Sequence, residues 1–117
     1  MEFPLSNSKI WLYKEPIDFR AGLYGLCNLV VSQLKKPVKD GLFIFHNRKR
    51  DAIKCLFWHK NGYVLIYKKL EKDHFCFQKN PTEGTILLEK HELEWLLAGL
   101  DWHKMRHWKE LDYNKFA

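Results

Sequence analysis

Leu42-Phe43-Ile44-Phe45, the polar run His46-Asn47-Arg48-Lys49-Arg50-Asp51, the segment Ala52 to His59, the dipeptide Asn61-Gly62 and the segment Tyr63 to Leu70 together decide the fold. The apolar segments are rich in aromatic and β-branched residues and are bounded by turn formers, which is the signature of strands. Asn-Gly between two such segments reads as a type I′ hairpin turn, because both central positions of that turn take positive φ. Upstream, Lys9-Ile10-Trp11-Leu12-Tyr13 is a short strand candidate. Asp18 then stands as an N-cap before apolar positions Phe19, Leu23, Leu26, Cys27, Val30 and Leu34, one face of a helix. That helix is expected over about 18–36, stopping before Pro37. Gly22 and Gly25 within it each cost about 1 kcal/mol against Ala, which implies a close neighbour. Downstream, Phe75-Cys76-Phe77 and Thr85-Ile86-Leu87-Leu88 are shorter strand candidates. Leu93, Leu96 and Leu97 mark a second helix over about 90–99, with Gly99 as its C′ residue. The reading is α+β: one domain over 1–117, a curved antiparallel sheet of about five strands, one long N-terminal helix and one shorter helix. Residues 100–117 form an aromatic and basic C-terminal extension.

With 117 residues, 46% hydrophobic and 15% aromatic, the chain has material for one packed core and is too apolar for disorder. No apolar run is long enough to span a bilayer, and Met1 to Leu5 lacks the basic start of a signal peptide. Cys27, Cys55 and Cys76 are odd in number and widely spaced, so neither a disulfide framework nor a cysteine zinc site is expected. All three read as small core residues in a protein of the reducing cytoplasm.

The net charge of +6 is unevenly placed. Residues 35–72 carry eleven Lys and Arg against Asp40, Asp51 and Glu71, a surplus of eight, while the flanking thirds are neutral or slightly acidic. Such asymmetry points to an anionic partner, with a solvated sheet face as the competing account. Arg48-Lys49-Arg50, with Lys54, Lys68 and Lys69, is the candidate nucleic-acid contact: Arg forks and Lys point charges can meet successive phosphates. Lys35, Lys36, Lys39 and Lys60 extend that surface if the sheet gathers them. The same residues also suit a solvated loop and lysine-protected edge strands. In the tail, Trp102, Arg106 and Trp108 can dock on a partner protein, or the two Trp can fold back over the sheet.

Catalysis finds little support. A metal-dependent nuclease strand needs a carboxylate and a lysine two apart, whereas Asp51 and Lys54 are three apart and face opposite sides of a regular strand. Asp18, Asp51 and Asp101 form a carboxylate triad only on paper, since Asp18 suits a cap and Asp51 suits pairing with a neighbouring Arg. His103 and His107 have helical ligand spacing without an accompanying zinc motif, so no metal and no cofactor are expected. Trp58 reads as core, or as a stacking platform where its face is open.

Several ordered blocks carry a family resemblance. Asp18-Phe19-Arg20-Ala21-Gly22 with Leu26 resembles the D-x-R-x-G-x-x-x-L opening of the second-open-reading-frame (TnpB) accessory proteins of the insertion-sequence sixty-six transposon family. Phe43-x-Phe45-x-Asn47-Arg48-Lys49-Arg50-Asp51, with Lys54, Leu56 and Trp58, is similar to that family's F-x-F-x-x-R-R-x-D-x-x-K-x-x-x-W core. Gly62-Tyr63, Lys68 to Glu71, Phe75, Leu93, Gly99 to Trp102 and Trp108 follow in family order. Lys49 stands where Arg is commoner, and Glu89 where a Ser or Thr cap is usual, which should weaken that helix start. The resemblance implies a non-catalytic accessory factor for transposition, with Asp18, Arg20, Asp51 and Trp58 as motif positions. Its expected partners are DNA, held mostly through phosphates, and the transposase of the same element. A pure protein-interaction module recruiting that transposase through the aromatic tail is the alternative.

Overall fold

Six consecutive buried residues, Gly41 to His46, make β2, the middle strand of the sheet. A strand buried at every position, and apolar without alternation from Leu42 to Phe45, must be covered on both faces. The computed structural model, which describes residues 9–75 and 85–99, shows why. Strands β1 (Lys9–Tyr13), β2 (Gly41–His46), β3 (Ala52–His59), β4 (Gly62–Lys69) and β5 (Thr85–Leu88) form one sheet in the order β4-β3-β2-β1-β5. Helix α1 (Leu23–Gln33) connects β1 to β2, and α2 (Lys90–Leu97) follows β5.

Each helix covers one face. Leu26 and Val30 of α1 pack with Phe43, Phe45 and Leu56. Leu93 and Leu96 of α2 pack with Ile10, Leu12, Leu42, Ile44, Ile53, Cys55 and Phe57, the alternate positions of the same strands. The result is α+β, with the sheet between two helical layers.

The sheet is mixed, which corrects the antiparallel expectation. β2, β3 and β4 form the expected antiparallel meander, and β5 is antiparallel to β1, but β1 runs parallel to β2. A parallel neighbour requires the chain to return across a face, and the connection carrying α1 does so. Gly41 permits the pairing: a Cβ there would stand 2.3 Å from the Lys9 carbonyl oxygen.

The N-terminal helix is also shorter than its apolar periodicity suggests. α1 starts at Leu23 with Gly22 as its N-cap, and no side chain caps it. Asp18 closes a separate turn, accepting the Arg20 N–H at 2.9 Å while its own carbonyl accepts the Ala21 N–H at 3.1 Å. Local side-chain bonding of this kind competes with helix. α1 ends where Lys35 takes φ 57°, ahead of Pro37. No close packing explains the two glycines: the space at Gly22 is open, and at Gly25 only the Ala21 Cβ is near.

The β3–β4 hairpin is present, yet its loop is Lys60-Asn61, because His59 pairs with Gly62. The positive φ falls on Lys60, at 53°, and the type I′ expectation at Asn61-Gly62 is corrected. Side-chain pairing across the ladder sets this register. Trp58 opposes Tyr63 with their rings edge-on at 4.9 Å, and Phe57 opposes Val64 on the other face.

Of the Phe75-Cys76-Phe77 candidate, Phe75 is buried and donates its N–H to the Arg50 carbonyl. Cys76 and Phe77 lie outside the described residues, as do residues 100–117 with Trp102, Arg106, Trp108, His103 and His107. α2 begins better than expected. Glu89 and Glu92 form a capping box, in which the Glu89 N–H donates to Glu92 Oε1 at 3.0 Å. Gly99, at φ 80°, ends the helix as read.

Candidate nucleic-acid interface

β1 and β2 finish at one end of the sheet, where β3 begins and β4 ends. The loop from Asn47 to Asp51 stands at this end, and its shape follows from one side chain. Asn47 Oδ1 accepts the N–H groups of Asp51 and Ala52, both at 3.2 Å, and its Nδ2 donates to Asp51 Oδ1 at 2.6 Å. The Arg50 N–H closes the turn on the Asn47 carbonyl, with Arg50 in the left-handed region at φ 60°. The Asp51 carboxyl is therefore occupied by Asn47, and its pKa is lowered first by that bond and further by the charges of Lys69 and Lys49. Pairing with a neighbouring Arg, the sequence expectation, is replaced by pairing with Asn47. Arg48, Lys49 and Arg50 are left exposed on a fixed loop.

His46 and the Lys14 carbonyl brace the loop from beneath. His46 is buried, with Nε2 3.0 Å from the Lys14 oxygen and Nδ1 3.2 Å from the Asn47 oxygen. Burial lowers its pKa, opposed by the two carbonyl contacts.

Lys54 is corrected from phosphate contact to internal clasp. It is only 9% exposed, and its Nζ donates to the carbonyls of Phe19 at 2.9 Å and Ala21 at 3.0 Å. The Phe19 ring lies 4.8 Å from the ammonium. The charge is compensated inside the protein, as a buried ammonium requires. The clasp also joins the two sequence blocks of the family resemblance, for it holds the turn that bears Arg20.

Asp18 and Arg20 form an exposed, multiply bonded pair. Arg20 Nε donates to Oδ2 at 2.9 Å and to Oδ1 at 3.1 Å, and Nη2 donates to Oδ2. The guanidinium holds the Asp18 carboxyl down to about 2, with a smaller contribution from the nearby Arg48 charge. The Ile17 N–H donates to the His46 carbonyl at 3.0 Å, so the turn bearing Arg20 stands at the same end of the sheet as the basic loop.

Lys68 and Lys69 separate. Lys69 opposes Ala52 and stands beside the loop, exposed. Lys68 points to the other face and donates to the Leu97 carbonyl at 2.7 Å, at the C-terminal end of α2 where a cation is favoured. Lys36, Lys39 and Lys60 lie at the opposite end of the sheet, about 25 Å from the loop at strand spacing. Lys36 sits 4.0 Å over the Trp11 ring and Lys39 4.3 Å over the Trp58 ring. Trp58 thus has its face taken by an ammonium and an edge-on Tyr63, so it is no open stacking platform.

Glu89, His91 and Glu92 bring ligand atoms within 4.8 Å of one another. Their lone pairs serve the α2 cap and the Glu89–His91 contact. Cys55 is buried, and burial pushes its thiol up to about 12, while burial also raises Cys27. No described helix is long and apolar enough to cross a membrane. The sequence reading missed Asn47 as the loop's organiser, His46 as its brace and Arg20 as an exposed residue at the same end of the sheet. Asn at the mouth of a hairpin loop was the available signal for the first of these.

A mixed sheet covered on both faces, with Arg48, Lys49, Arg50 and Lys69 exposed at one end and further lysines at the other, defines a small basic domain. The chain belongs to the IS66 Orf2 like protein family, whose model matches residues 8–107, and it is thereby a transposition-associated accessory protein. It is 33% identical over 104 residues to the uncharacterized protein y4jC of Sinorhizobium fredii, covering 88% of each chain. It is 29% identical over 105 residues to y4hO of the same organism, also uncharacterized, covering 88% of this chain and 90% of that one. No solved structure matches it.

Proposed function

We propose that this protein is a non-catalytic DNA-binding factor for transposition of an insertion sequence, gripping duplex phosphates with the rim formed by Arg48, Lys49, Arg50 and Lys69. The observation that carries the reading is the fixed loop at one end of the sheet, which presents three consecutive exposed cations. Phosphate neutralisation and counterion release supply the affinity, with weak base preference. Neither described helix is suited to enter a groove: α1 carries no charged residue, and α2 carries Glu92 and Glu94 against the single Lys90.

That same uncharged helix favours a second contact, with the transposase. Tyr24 and Val31 are 81% and 56% exposed on it, two large hydrophobic side chains open to solvent. The aromatic tail with Trp102, Arg106 and Trp108 is the other surface proposed for that partner.

Fluorescence anisotropy tests the DNA reading, with one duplex from the element's terminal repeat and one scrambled, across several salt concentrations. Wild type is expected to bind both, and Arg48→Ala/Lys49→Ala/Arg50→Ala to lose affinity and up to about 2.7 from the salt slope. Absence of binding at low salt makes the transposase the direct partner.

A further inference from the structure

Arg20 is exposed over 91% of its side chain, yet its guanidinium makes three hydrogen bonds to Asp18. Asp18 takes its Nε hydrogen and one Nη2 hydrogen. A guanidinium has five N–H donors, so three remain, including the parallel pair on the end-on edge between Nη1 and Nη2. Asp18 is fixed in turn by the Arg20 N–H, and Lys54 clasps the carbonyls of Phe19 and Ala21 on either side of Arg20. Both the backbone and the side chain of this one arginine are thereby oriented. An exposed ion pair does little for stability, so stability does not account for this arrangement.

The surroundings favour an anion. Arg48 is near enough for its charge to act on Asp18. Two residues after Arg20, Gly22 is the N-cap of α1 and offers no side-chain cap, and the first turn holds no acidic residue, leaving the positive end of the helix uncompensated. The free fork of Arg20 matches two oxygens of one phosphate.

We infer that Arg20 is a phosphodiester-binding residue aligned by Asp18, its end-on fork taking two non-bridging oxygens of a DNA phosphate beside the uncapped start of α1. The inference rests on the DNA-binding reading and adds to it a contact outside the basic loop. Asp18 is a positioning residue, and this gives it an unusual sign. Simple electrostatics makes removal of a carboxylate strengthen DNA binding, whereas loss of alignment weakens it.

The test is the same anisotropy titration on Arg20→Ala, Arg20→Lys and Asp18→Ala, each checked for wild-type circular dichroism and melting. Arg20→Ala is expected to lose about tenfold in affinity on both duplexes and about 1 from the salt slope. Arg20→Lys should keep the slope but lose several-fold in affinity, since an ammonium has no fork. Asp18→Ala should bind more weakly despite its added positive charge. If wild type binds while Arg20→Ala matches it and Asp18→Ala binds equally or more tightly, the assignment is overturned and the DNA-binding reading stands. A loss confined to one duplex would mean base readout and would also overturn the phosphate assignment. Wild type that does not bind at low salt removes both.

Discussion

Lys54 donates a 2.9 Å hydrogen bond to the carbonyl of Phe19, a residue 35 positions earlier in the chain. Through this bond and its companion to Ala21, strand β3 fixes the turn before α1. Lys54→Met keeps the length and apolar stem but leaves two carbonyls without their donor. It is expected to cost about 1–3 kcal/mol, read as a lower urea midpoint at unchanged slope. An unchanged midpoint would show that water replaces the ammonium and that the clasp is dispensable.

Asp18 gives a pH signature. Its carboxyl, held down to about 2 by Arg20 from the ordinary 3.8, favours the folded state when ionised. The contribution is therefore complete above about pH 4 and fades as pH falls toward 2. Arg20→Ala should raise the Asp18 carboxyl from about 2 toward 3.8 but not fully to it, since the N–H of residue 20 still donates to Oδ1, as measured by carbon-detected NMR titration of the side chain. A carboxyl that still titrates near 2 in that variant would assign the shift to another group.

Gly41→Ala places a Cβ 2.3 Å from the Lys9 carbonyl oxygen, a backbone atom that cannot swing away. The parallel β1–β2 pair must separate, at an expected cost of about 1–3 kcal/mol by denaturant unfolding. Gly22→Ala, where the space is open, loses only the N-cap preference for glycine and should cost less than about 1 kcal/mol. Equal effects at the two positions would contradict this account.

At the start of α2, Glu92→Ala removes the acceptor of the Glu89 N–H. Loss of the capping box is expected to cost about 0.5–2 kcal/mol and to speed exchange of the Glu89 amide. Glu92→Gln, which keeps an oxygen in place, should retain most of the protection. Hydrogen exchange followed by NMR distinguishes the two variants.

Much of the architecture is local and hence legible in the sequence. The β2–β3–β4 meander, β1, β5, α2 and Gly99 as its terminator follow from strand composition, helical spacing and turn chemistry. What escaped depends on contacts between distant segments. Nothing local to Lys9–Tyr13 says that its neighbour is parallel, because that follows from the return of α1 across the sheet. Asp18 looks like a helix cap until Arg20 claims both its oxygens. Lys54 reads as one more cation of a basic loop until β3 turns it inward to Phe19 and Ala21. The exposed loop Arg48-Lys49-Arg50 was legible because its neighbours in sequence are also its neighbours in space.

The order of strands across the sheet, β4-β3-β2-β1-β5, has a consequence for how the chain assembles. The meander from Gly41 to Lys69 pairs segments that follow one another, so little loop entropy opposes it and it can form as a nucleus. β1 leaves the ribosome first but acquires its parallel partner only after β2 emerges. Its second partner, β5, arrives later still. During synthesis the earliest of the five strands thus remains half-paired until β5 is made, and Ile10 and Leu12 need protection until α2, which covers their face, has followed it.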